Sequence, residues 1–196
     1  MSRYALVERK TLETSIRLEI DLDSRQKSVI SSGVDFFDHM LNSMSKHGRF
    51  YMNLSCKGDT HVDDHHTVED TGICLGMAFR EALGAKAGIR RFGYSMIPMD
   101  DALAVSVIDL SGRAYFRYTG STLSGQIKNY SEELTIEFLR SFSDNAAMNL
   151  HVELKSGDNR HHIHEAIFKS VGVALRSAVS IDPEQDSAVP STKGVI

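Results

Sequence analysis

Cysteine is scarce in this chain: only Cys56 and Cys74 occur among 196 residues, and they form no CxxC pair. That rules against a thiolate metal centre or a disulfide framework, and two reduced structural thiols are expected. No apolar run approaches the roughly 18 residues of a membrane helix, and the start carries no secretory pattern. A soluble, cytoplasmic protein without a membrane partner is therefore expected. Positive charge is not in excess either. Lys and Arg number 22 against 26 Asp and Glu, a formal charge of −4, with no basic run, which removes the electrostatic footprint of a nucleic-acid binder. Apolar residues make up 41%, ample core for one domain or two small fused ones.

Histidine is what stands out. Of nine histidines, four lie in two adjacent pairs, and His39, His61, His151 and His164 sit near those pairs in sequence. The segment His65-His66-Thr67-Val68-Glu69 recurs 96 residues later as His161-His162-Ile163-His164-Glu165. On a helix, residues four apart share one stripe, whereas adjacent residues diverge by about 100°. Glu69 then lies beside His65, and the two histidines of each pair feed different ions. A lone histidine on a helix is ordinarily a surface or core residue; the duplication is what argues for metal.

The repeat extends beyond the motif. At the same offset Met52-Asn53-Leu54 meets Met148-Asn149-Leu150, and from His65 to Leu83 seven of 19 positions are identical, including Gly76, Ala78, Arg80 and Ala82. About one match is expected at average residue frequencies. Alternation of Leu12, Thr14, Ile16, Leu18, Ile20 and Leu22 predicts a half-buried strand. Further strands are expected near 27–32 and 51–57, with helices near 35–46 and 64–83. The second half repeats this with strands near 102–110, 114–118 and 149–155 and helices near 131–146 and 160–179. Each half thus reads ββαβα, predicting an α+β fold with sheets on one side and helices on the other. The expected division is 1–92, 93–185 and a flexible tail 186–196; the irregular stretch from Ile181 carries Pro183 and Pro190.

Duplication also nominates partners. His39 lies on the first short helix, and a slip of two residues places Glu137 at its counterpart. The expected metal set is His39, His65, His66 and Glu69 from the first half with Glu137, His161, His162 and Glu165 from the second. Eight ligands over two ions is four each, leaving open positions on a six-coordinate ion. Imidazole and carboxylate without thiolate suit Mn²⁺, Fe²⁺ or Co²⁺, with Mn²⁺ favoured on availability.

Ordered runs then carry a resemblance over nearly the whole chain. They include Arg9-Lys10-Thr11-Leu12-Glu13-Thr14, Phe36-Phe37-Asp38-His39-Met40-Leu41, Asp64-His65-His66-Thr67-Val68-Glu69-Asp70 and Gly88-Ile89-Arg90-Arg91-Phe92-Gly93. Pro98-Met99-Asp100, Asp109-Leu110-Ser111-Gly112-Arg113, His161 to Lys169 and Ser191-Thr192-Lys193-Gly194 continue them. The chain resembles the imidazoleglycerol-phosphate dehydratases, hydro-lyases of histidine biosynthesis. The resemblance implies a ribosomal protein S5 domain 2-like fold and dehydration of D-erythro-imidazole glycerol phosphate to imidazole acetol phosphate. It also implies two Mn²⁺ ions per subunit, and trimers that assemble to a 24-mer with metal sites between subunits. Glu137 stands where many relatives carry histidine.

The substrate hydrogen next to the ring is not acidic, so the resemblance implies a metal-held imidazolate that expels the C3 hydroxyl. Glu13 is the implied acid/base for the C2 proton, with Glu69 and Glu165 sharing proton transfer; on an alternating strand a solvated glutamate is ordinary, and the resemblance alone singles it out. His39, His47, His65, His66 and Glu69 are expected to touch substrate. Arg91, Arg113, Lys169, Ser191 and Lys193 are implied for its phosphate. Lys169 has internal support, because its duplicate position is Ile73. The tail is expected to close over phosphate. Asp100 and His151 are weaker candidates. A two-metal hydrolase, with closely bridged ions, and a non-catalytic metal-storage protein, needing no phosphate-binding cations, are the competing readings.

Overall fold

The computed structural model describes residues 3–184, 188–194 and 196. The first half runs β1 (Tyr4–Lys10), β2 (Thr14–Asp21), β3 (Val29–Ser31), α1 (Asp35–Gly48), β4 (Tyr51–Gly58) and α2 (His65–Leu83). The second runs β5 (Phe92–Met99), β6 (Ala102–Asp109), β7 (Tyr115–Thr119), a small ribbon of β8 (Gln126–Ile127) and β9 (Tyr130–Ser131), then α3 (Leu134–Ala146), β10 (Asn149–Ser156) and α4 (Arg160–Val179).

The two four-stranded sheets have the same topology, β1-β2-β4-β3 and β5-β6-β10-β7. In each, the last strand pairs in parallel with its neighbour and the other pairs are antiparallel. The ββαβα succession is present in both halves, and each is preceded by one more strand, β1 or β5. Their patterns explain why they escape a reading by alternation. On β1 only Ala5 and Val7 are buried. On β5 the polarity is inverted: Phe92, Tyr94 and Met96 are exposed while Gly93 and Ser95 face inward. The inward positions are small because α4 lies directly on the strand; a Cβ at Gly93 would stand 2.0 Å from the Ala174 carbonyl oxygen.

Within each half the helices cover one sheet face, as expected. Joined, the halves enclose the helices between the two sheets. α2 packs on β1, β2 and β4, and α4 on β5, β6 and β10, while α1 pairs with α4 and α2 with α3. α1 shows how the sequence drives this. Phe37, Met40, Leu41 and Met44 fall on one stripe and are all buried. Asp35 and Asp38 in its first turn, with Lys46 and His47 in its last, complement the helix dipole. Arg49 then ends it in the left-handed region, φ 56°.

The helix pairs are crossed between halves, and duplicated glycines mark the crossings. A Cβ at Gly76 would meet the Phe142 carbonyl oxygen and the Ala146 nitrogen of α3 at 2.7 Å. One at Gly172, 96 residues on, would meet the Met44 carbonyl oxygen of α1 at 2.4 Å. Close approach of this kind brings the first turn of each long helix beside the short helix of the other half. Among the described residues no helix is long and apolar enough to cross a membrane.

Candidate active site

Three of the nominated ligands converge. Single donor atoms of His39 on α1 and of His161 and Glu165 on α4 all lie within 4.8 Å of one another. Glu165 Oε2 is 3.2 Å from His161 Nε2 and 3.9 Å from His39 Nε2. Its other oxygen forms an ion pair with Lys169 Nζ at 2.9 Å, so one carboxylate oxygen is anchored and the other faces the imidazoles. Burial alone would raise the Glu165 carboxyl, but Lys169, His39 and His161 outweigh it and hold the group below its ordinary value. Within one chain this grouping puts His39 beside the second half's motif rather than beside His65, His66 and Glu69 of its own half. The reason is the crossed packing: α1 lies on α4, not on α2.

The first-half motif repeats the local geometry in more open form. His65 Nε2 is 3.8 Å from Glu69 Oε2, four residues on, and both side chains are about half exposed. Glu137 lies half-buried in the first turn of α3. Among the described residues the three-ligand group does not include it, nor does it include His65, His66, Glu69 or His162.

The divergence of adjacent histidines is present in both pairs, with ring planes at 83° and 81°. The second histidine of each pair turns to the hairpin turn beside its helix. His66 Nε2 is 3.7 Å from Glu13 Oε1 in the β1–β2 turn. His162 Nε2 is 3.5 Å from Asp100 Oδ2 in the β5–β6 turn. Glu13, on a turn rather than within the strand expected from Leu12, is 53% exposed. Both rings meet a further carboxylate at Nδ1: Asp59 Oδ2 at 3.1 Å from His66 and Asp101 Oδ1 at 2.6 Å from His162. The Asp59 hydrogen bond is the main cause of a raised His66 pKa. Asp101 is held well below the carboxylate range by the Asn159 N–H first, then by His162 and the Asp158 N–H. Neither Asp59 nor Asp101 was legible beforehand, because they occupy unrelated positions in the duplication. The usable signal was that each lies in or beside a turn facing a histidine pair.

A cavity of about 880 Å³ opens beside the three-ligand group. His39, Glu165, Lys169, His47 and Ser43 line it, together with Arg25, Lys27, Lys46 and Arg49. His47 is half-buried there, and burial, followed by the Lys169 charge, lowers its pKa. Of the expected phosphate cations only Lys169 borders this cavity. Arg91 pairs with Asp109 at 2.7 Å and donates to the Pro190 carbonyl at 2.8 Å, which brings the tail residue Ser191 next to it. Arg113 reaches the Ser111 carbonyl at 3.5 Å. Lys193 is exposed, its N–H bonded to the Ser191 hydroxyl. Within one chain the expected phosphate set is therefore divided between two places. Residues 186, 187 and 195 of the proposed tail lie outside the described residues, as does 185 just before it.

The remaining histidines play other parts. His151 stacks obliquely on Tyr115, ring centroids 5.4 Å apart, on the outer face of the second sheet. His61 is exposed in the loop before α2. His164 is fully buried, with Nδ1 2.8 Å from the Thr135 hydroxyl.

The family model for imidazoleglycerol-phosphate dehydratase matches residues 32–175. The chain is 50% identical over 196 residues to the imidazoleglycerol-phosphate dehydratase of Granulibacter bethesdensis, covering all of both chains. It is likewise 50% identical over 196 residues to that of Geobacillus kaustophilus, again across both chains entire. Among solved structures, the enzyme of Staphylococcus aureus superposes with a TM-score of 0.83 at 34% identity, covering 91% of this chain and 99% of that one. That of Pyrococcus furiosus, solved in complex with (S)-C348, gives 0.82 at 33% identity over 97% and 100%.

Proposed function

The chain belongs to the imidazoleglycerol-phosphate dehydratase family, hydro-lyases of histidine biosynthesis, and on that premise we propose a metal-dependent dehydration run by two Mn²⁺ ions. The substrate is D-erythro-imidazole glycerol phosphate, and the product is imidazole acetol phosphate. The observation that carries the metal reading is the convergence of His39, His161 and Glu165 from opposite halves. Two imidazoles and a carboxylate without thiolate fit a divalent ion of the Mn²⁺ type. His65 and Glu69 supply the matching half of the second site; His66, His162 and Glu137 complete the set. When bound, the ions would supply Lewis acidity at the nitrogens of the substrate's imidazole ring, making the ring N–H more acidic.

The chain's own residues do the rest. Glu13, on its turn 3.7 Å from His66, is the base for the C2 proton. Glu69 and Glu165 assist proton transfer. Lys169 and His47 border the cavity that receives the phosphate-bearing chain of the substrate. Arg91, Arg113, Ser191 and Lys193 take the phosphate from a second subunit, which accounts for their separation from Lys169 within one chain. The functional unit on this reading is a homo-oligomer, trimers assembling to a 24-mer around metals shared between subunits, and it works in the cytoplasm.

Steady-state kinetics on two variants tests the assignment. His161→Ala lowers both Mn²⁺ affinity and turnover. Glu13→Gln lowers kcat by about 10²–10⁴-fold, the usual worth of a positioned acid/base, with KM and Mn²⁺ affinity little changed. Full kcat in Glu13→Gln removes it from the reaction; unchanged Mn²⁺ binding in His161→Ala removes the metal site.

A further inference from the structure

Each histidine pair divides its labour. The first members, His65 and His161, face a glutamate four residues on through Nε2. The second members, His66 and His162, instead present Nδ1 to an aspartate from outside the helix. A neutral imidazole carries one N–H, and an ionised carboxylate only accepts. In both rings the carboxylate at Nδ1, 3.1 Å away in His66 and 2.6 Å in His162, stands closer than the one at Nε2, Glu13 at 3.7 Å and Asp100 at 3.5 Å, so the proton goes to Nδ1 and Nε2 keeps its lone pair.

We propose that Asp59 and Asp101 are positioning residues that fix His66 and His162 with Nδ1 protonated and Nε2 free to bind metal. The proposal rests on the reading of these histidines as ligands given above. Both oxygens of Asp59 lie near His66 Nδ1, at 3.1 and 3.2 Å. Its own N–H bonds to the Glu13 carbonyl at 3.1 Å, tying it to the β1–β2 turn. Asp101 gives Oδ1 to His162 Nδ1, while its Oδ2 accepts from the Asp158 and Asn159 N–H groups at 2.6 and 2.9 Å. It thus spans the β5–β6 turn and the start of α4. Asp59 is tied to the turn by its own main-chain N–H, Asp101 by backbone N–H groups on its carboxylate, and each carboxylate holds an imidazole.

The two aspartates are not copies of one ancestor residue. At the repeat offset of 96, Asp59 corresponds to Lys155 and Asp101 to Ala5. One comes from the end of β4 and the other from a hairpin turn, yet both reach the same ring nitrogen of the equivalent histidine. A carboxylate that merely decorated the surface would not recur at the same atom from unrelated positions. Ligand imidazoles oriented by a carboxylate on the far nitrogen are a general device of metal sites, setting ring angle and raising basicity.

Calorimetric titration of the full chain with Mn²⁺ after chelation tests this. Asp59→Ala and Asp101→Ala each weaken Mn²⁺ binding about 10–100-fold at one class of site and spare the other. Asp59→Asn and Asp101→Asn, which keep an acceptor oxygen, lose less. In the unsubstituted, metal-free chain, long-range ¹⁵N–¹H correlation shows His66 and His162 as Nδ1–H tautomers, a readout independent of how any variant folds. His66→Ala and His162→Ala serve as controls. If they weaken Mn²⁺ binding while both Asp→Ala variants bind like the parent, the orienting role is overturned. Nε2–H tautomers for both rings overturn it as well. Undiminished binding in both His→Ala controls overturns the ligand reading beneath it.

Discussion

At the residue scale the sharpest contrast between the halves is at His164, whose counterpart 96 residues earlier is Val68. His164 is 0% exposed, with Tyr130, Thr135 and Phe36 around it. Among the described residues its Nε2 has no hydrogen-bond partner, and Glu132 Oε1 stands 3.5 Å away. Burial, with a smaller push from His161, lowers its pKa to about 4. A histidine held neutral in the fold and titrating near 6.5 when unfolded takes up its proton first in the unfolded chain. Its contribution is therefore complete above pH 6.5 and is lost as pH falls towards 4, a change on the order of 3 kcal/mol. His164→Val, which installs the residue of the other half, flattens that slope. Denaturation of the chelated protein between pH 4 and 7 measures it; equal slopes for parent and variant assign the acid lability elsewhere. The two thiols are also set by burial, which raises Cys56 to about 11 and Cys74 to about 12. Both therefore resist alkylation at neutral pH until the chain unfolds, which a timed thiol assay reads directly.

At the element scale the crossed helix pairs α1–α4 and α2–α3 determine which ligands meet. Gly76→Ala and Gly172→Ala each force backbone apart at one crossing and cost about 1–3 kcal/mol. Their effects on the site differ: Gly172→Ala moves α1 from α4 and so separates His39 from His161 and Glu165. Thermal unfolding with Mn²⁺ titration distinguishes a shared stability loss from this selective loss of binding. If Gly172→Ala keeps Mn²⁺ affinity, the crossing does not set the site. The long helices were legible in sequence because apolar spacing and the HHxxE repeat coincide, and α4 begins and ends where its pattern does, at Arg160 and Val179. β5 was not legible, because its exposed side is the apolar one. The repeat nominated His161 and Glu165, which meet in the fold; their grouping with His39 was not legible, since it depends on which helix α1 packs against.

At the scale of the whole molecule the two sheets present unlike outer faces. The first mixes Tyr4, Leu6 and Val29 with Glu8, Lys10, Arg17 and Lys57; the second carries Phe92, Tyr94 and Met96 along one strand with Val107 paired to Tyr94. A shared-metal assembly links the proposed chemistry to size, so chelation lowers the solution mass and Mn²⁺ restores it; light scattering that gives one mass in both states contradicts the shared sites. The most direct test of the central claim is product formation from imidazole glycerol phosphate by the full chain, before chelation, after it and after Mn²⁺ is returned. The account predicts imidazole acetol phosphate in the first and third conditions and its loss in the second. An undiminished rate in the chelated, correctly folded protein would contradict it.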